Sequence, residues 1–105
     1  MIKAELFVKN KKIIGFHLTG HSGMDEYGKD VLCSFVSSAA YMTANTVTEI
    51  IGVKAHAKAD DGDMYVRVSD RDADRCRDIF EGFKLHLLNT QEQYPEYLKV
   101  IITEV

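Results

Sequence analysis

Apolar and polar residues alternate from Ile2 to Lys9. Ile2, Ala4, Leu6 and Val8 share one face, and Lys3, Glu5, Phe7 and Lys9 share the other, as in a half-buried strand. Asn10-Lys11 reads as a tight hairpin turn. Lys12 to Leu18 returns as a second strand with Ile14, Phe16 and Leu18 inward, and Ile13, Gly15 and His17 outward. After a glycine-containing stretch the period lengthens. Cys33, Val36, Ser37, Ala40, Ala44, Val47 and Ile51 recur at helical spacing, which predicts a helix from Asp30 to Ile51 capped by Gly52. Alternation resumes from Val53 to Ala59. The turn Asp60-Asp61-Gly62-Asp63 then leads into a strand from Met64 to Val68. Ser69-Asp70-Arg71-Asp72 has the form of a capping box. A second helix follows, with an apolar stripe of Cys76, Ile79, Phe80, Phe83 and Leu87. It ends before Pro95, because the residue preceding a proline is biased away from helix. A last strand covers Tyr97 to Val105, with Leu98, Val100 and Ile102 opposite Lys99, Ile101 and Thr103.

The element order is therefore ββαββαβ. Strand runs separated by two helices predict an α+β fold: a single two-layer domain over 1–105, with a mostly antiparallel sheet and both helices on one face. The other sheet face carries Phe7, Tyr65, Tyr97 and Ile101, a candidate dimer surface.

Composition narrows the function without naming it. The formal net charge of -3 argues against direct nucleic-acid binding, which needs a basic face, and suits a basic peptide instead. There is no membrane-spanning apolar run and no signal peptide, so the expected location is the cytoplasm. In that compartment a disulfide between Cys33 and Cys76 is disfavoured. The four His and two Cys are scattered without metal-ligand spacing, and the aspartate-rich turn lacks the alternating ligands of a calcium loop. No metal and no cofactor are expected.

The chemistry concentrates between Thr19 and Ser37. His21 follows the second strand on a loop, and Cys33 falls in the first turn of the first helix. A thiolate there is favoured by the helix dipole and by backbone N–H groups, which also suit an oxyanion. A nearby imidazole can take the thiol proton. Asp30 either caps the helix or orients His21. Ser37, one turn after Cys33, shares its helix face. Gly20, Gly23 and Gly28 give the loop freedom to approach a substrate backbone. No Gly-Lys-Ser/Thr follows, so this is not a phosphate-binding loop. His17 reads as a surface or dimer-contact residue, His56 as solvent-facing between two lysines, and His86 as solvated beside the second apolar stripe.

Gly20-His21-Ser22-Gly23, then Gly28-Lys29-Asp30, then Val31-Leu32-Cys33 and Val36-Ser37 closely resemble the signature of the ribosomal-processing cysteine proteases, the Prp family. The resemblance covers nearly the whole chain. It implies a cysteine endopeptidase that removes the N-terminal extension of a large-subunit ribosomal protein, with Cys33 and His21 catalytic and Asp30 and Ser37 supporting. It also implies a homodimer. Gly20, Gly23, Met24, Tyr27 and Gly28 would form the substrate loop, with Met24 or Tyr27 gripping apolar residues of the extension. The chain departs from the family pattern at Ser34-Phe35, where many members carry two alanines, and at Met24-Asp25-Glu26. Two other readings compete: a non-catalytic ribosome-assembly binding module in which Cys33 is merely buried, and a thiol redox sensor.

Overall fold

The computed structural model describes residues 1–21 and 31–105. Five strands form one sheet in the order β3-β4-β2-β1-β5. β1 (Ile2–Lys9) and β2 (Lys12–Thr19) form the central hairpin. Both turn residues, Asn10 and Lys11, have positive φ (52° and 66°), as a turn matching the strand twist requires. β4 (Asp63–Arg67) pairs antiparallel with β2, and β3 (His56–Asp60) pairs antiparallel with β4 at the edge. β5 (Leu98–Glu104) runs parallel to β1 and closes the other edge. The sheet is thus mixed but mostly antiparallel, as expected.

α1 (Val31–Asn45) and α2 (Arg77–Gln93) are the two helices of the second layer. The core between layers joins Leu6, Phe16 and Val66 of the sheet to Val36, Ala40, Phe80 and Leu87 of the helices, all essentially inaccessible to solvent. The Phe16 and Phe83 rings meet at 4.7 Å between centroids, which ties β2 to α2.

Several boundaries differ from the sequence reading. The first helix is not α-helical throughout: Thr46–Ile51 is a π-helix, ended by Gly52 at φ 79°. Thr43, Thr46 and Thr48 turn their hydroxyls onto the carbonyls four residues back, which competes with the regular ladder. Its buried stripe is Leu32, Val36, Ala40, Thr43 and Val47, while Cys33 and Ser37 sit half-buried at the edge. β3 starts at His56, not Val53, because Val53 turns into the core before pairing begins.

The second helical region opens as a 3₁₀ helix, Asp70–Cys76. Ser69 directs its hydroxyl at the Asp72 carboxylate, 3.1 Å away, and not at a backbone N–H, so the capping box is not formed. Ile13, expected outward, is buried. Tyr97 precedes β5, which begins at Leu98, and is half-buried. Among the described residues no helix is long and apolar enough to cross a membrane.

Candidate active site

β2 ends at Thr19, and Gly20 turns the chain with φ 87°. The Gly20 N–H donates to the carbonyl of Gly62, 2.9 Å away in the β3–β4 turn. That bond extends the β2–β4 pairing, in which Thr19 stands opposite Asp63. His21 therefore emerges beside an acidic turn contributed by a hairpin some forty residues later in the chain. Its Nδ1 faces Cys33 Sγ at 3.6 Å, within reach for a sulfur contact. Cys33 is the third residue of α1, at the positive end of that helix.

The thiol opens onto a cleft of about 370 Å³. Ile2, Leu18 and Val36 form its apolar floor. Ser37 and Tyr41, one and two turns beyond Cys33, line the helix side. The opposite wall is the turn from Asp60 to Asp63. Asp63 is held below the usual carboxylate range, first by the hydrogen bond from His17 and then by that from Lys58. Lys58 is raised in turn, chiefly by its hydrogen bond to Asp63. Asp60 and Asp61 remain exposed on the same wall.

Of the residues singled out in the sequence, the structure brings together Gly20, His21, Cys33 and Ser37. Gly23, Met24, Tyr27, Gly28 and Asp30 lie outside the described residues. His17 lies on the outer sheet face, half-buried, bonded to Asp63 at 2.7 Å and edge-on to Tyr65. His56 is exposed. His86 is half-buried, not solvated, with its ring 4.8 Å from that of Phe35 and its Nε2 enclosed by protein. Cys76 is wholly buried, its thiol pushed up by burial, and it is not bridged to Cys33. Among the described residues no group of His, Cys, Asp or Glu is arranged to hold a metal ion.

Sequence reasoning missed the acidic turn as a wall of the cleft. The alternation of β2 and β4 places each strand alone; it does not reveal that these non-consecutive strands pair. Tyr41 was legible in principle, since it follows Cys33 and Ser37 at helical spacing.

A thiol at a helix start, facing an imidazole across a cleft on an α+β scaffold, is the arrangement of a cysteine protease. The family can be given more narrowly. Residues 1–99 match the family described as cysteine protease Prp, and the chain belongs to that family. Two Staphylococcus aureus proteins, both named ribosomal processing cysteine protease Prp, are 23% identical to it over 103 residues, covering 95% of this chain and 97% of theirs. The crystal structure of the S. aureus protease with a covalently linked product peptide matches with a TM-score of 0.88, at 23% identity, over 98% of this chain and 100% of that one. A Streptococcus mutans protein of known structure matches with a TM-score of 0.80, at 26% identity, over 100% of this chain and 96% of its own.

Proposed function

We propose that this protease removes the N-terminal extension of a large-subunit ribosomal protein, with Cys33 as nucleophile and His21 as general base and then general acid. The observation that carries the reading is the 3.6 Å approach of Cys33 Sγ to His21 Nδ1 at the mouth of the cleft. The S. aureus relatives bearing the ribosomal-processing name support the substrate class. The exposed Asp61 on the cleft wall also suits a basic peptide, while Asp60 is paired with Lys58 at 3.6 Å.

In this mechanism His21 Nδ1 takes the thiol proton, and Cys33 Sγ attacks the scissile carbonyl. The positive end of α1 stabilises both the thiolate and the oxyanion of the tetrahedral intermediate. As the intermediate collapses, the C–N bond breaks and His21 returns its proton to the leaving amine, which leaves a thioester on Cys33. Water, deprotonated by His21, attacks the thioester. The acid product departs and the thiol is restored. Asp30 and Ser37 support the pair. Ser37 does so from the next turn of the same helix, where it lines the same cleft. Gly20, Gly23, Met24, Tyr27 and Gly28 form the substrate loop. The enzyme acts in the cytoplasm as a homodimer, for which the outer sheet face with Phe7, Tyr65 and Ile101 is the candidate contact.

The test is to incubate the purified protein with the host's own N-terminally extended ribosomal protein and to follow shortening by mass spectrometry, with Cys33→Ala alongside. Cleavage that vanishes in the variant is the expected result. An unprocessed substrate, with the Cys33 thiol shown to be reduced, would overturn the proposal in favour of a binding module.

A further inference from the structure

We infer that the β3–β4 turn is the seat of the catalytic histidine: Gly62 leaves the space that His21 occupies, and Asp61 adds a small bias toward the tautomer that can deprotonate Cys33. The inference rests on the His21–Cys33 reading above and adds two positioning residues to it.

Gly62 has φ +72°, and a β-carbon built on it would lie 2.9 Å from His21 Nε2. Real side chains do not tolerate that approach, so one partner must move. The imidazole is the tip of a side chain and moves at little cost, whereas the Gly62 backbone is fixed by the bond from Gly20. A side chain at position 62 therefore displaces the ring. Because its opposite nitrogen, Nδ1, is the atom facing Cys33 Sγ, displacement disturbs the proton transfer, where misplacement by an ångström is costly.

Asp61 acts on the same ring through charge. Its Oδ1 lies 3.9 Å from His21 Nε2, too far for a hydrogen bond but close enough to favour a proton on that nitrogen. With the proton on Nε2, Nδ1 keeps the lone pair that accepts the thiol proton. Asp61 is almost fully solvated, so this share is small.

The test measures the rate of Cys33 alkylation by iodoacetamide at neutral pH beside cleavage kinetics of the ribosomal substrate. Gly62→Ala and Gly62→Asn are compared with wild type; asparagine tolerates the left-handed backbone better and guards against misfolding. Gly52→Ala is the control, because Gly52 has φ +79° with nothing near its would-be β-carbon. It carries the same backbone strain far from the thiol. Both Gly62 variants are expected to lose roughly tenfold or more in alkylation rate and kcat, with KM little changed. Gly52→Ala should react like wild type. Asp61→Asn should lose roughly two- to fivefold, restored by Asp61→Glu. Wild-type rates in the Gly62 variants, or an equal loss in Gly52→Ala, would overturn the seat, and a wild-type rate in Asp61→Asn would remove Asp61 from it. His21→Ala separates the two levels. If it alkylates like wild type, the thiol–imidazole reading itself falls; if it is slow while the Gly62 variants are fast, only the seat falls.

Discussion

His21 Nδ1 stands 3.6 Å from Cys33 Sγ although one residue leaves the end of a strand and the other opens a helix. The contact joins the two layers of the domain at the edge of the core. Beneath it lie the buried side chains of Val36 and Leu18, which floor the cleft onto which the thiol opens. The pair thus sits at the rim of the core, with the imidazole exposed and the thiol half-buried.

Removing either partner should stop turnover by different amounts. Cys33→Ala should abolish cleavage, because it removes the sulfur that faces the imidazole. His21→Ala keeps the thiol but loses the proton transfer, a loss of roughly a hundred- to ten-thousandfold in kcat. Cleavage of the extended ribosomal protein, followed by mass spectrometry under single-turnover conditions, distinguishes the two. A His21→Ala enzyme with near-wild-type kcat would exclude its role as base.

Much of this arrangement could be read from the chain before its structure. Alternation in β1 and the Asn10-Lys11 turn located the hairpin, and the resemblance carried by the Gly20–Ser37 stretch agrees with the family match over residues 1–99. What could not be read has physical causes. Pairing of β2 with β4 is a long-range event, so the placement of Asp61 and Gly62 beside His21 left no local trace. The capping box at Ser69 failed because a 3₁₀ turn gives its hydroxyl a carboxylate to bond. His86 stands next to an apolar stripe, and only the crossing of α1 over α2 reveals that Phe35 covers it. Val36, Ala40 and Val47 of the expected α1 stripe are buried, but Leu32 and Thr43 turn inward where Cys33 and Ala44 were expected, which leaves Cys33 at the rim.

Iodoacetamide should separate the two cysteines cleanly. Cys76 is wholly buried and its thiol is pushed up by that burial, both of which suppress thiolate attack. Native protein is expected to take up one alkyl group, at Cys33, and native Cys33→Ala none. Denatured wild type should take up a second group. Mass spectrometry of the native adduct checks this, and modification at Cys76 would contradict the packing of α2.

Truncating the contact between β2 and α2 should be costly. Phe83 is buried and stacks at a tilt on Phe16. Phe83→Ala leaves a cavity and is expected to cost about 3–5 kcal/mol by chemical denaturation. A loss below about 1 kcal/mol would mean the helical layer repacks more freely than this geometry allows.

The Asp63 network gives a pH dependence whose sign is fixed. His17 first, and Lys58 second, hold the Asp63 carboxyl below its usual range in the folded protein. A carboxylate depressed by folding adds stability above its unfolded value, about pH 4. That contribution fades as acid protonates it through the still lower folded value. Asp63→Asn should therefore melt below wild type near neutral pH, and the gap should close as pH falls below about 4. The difference is small, because water screens the site. Thermal melts of both proteins between acid and neutral pH test it. A gap that widens in acid would show that Asp63 is instead favoured protonated in the fold, and would remove the ion pairs from the wall of the cleft.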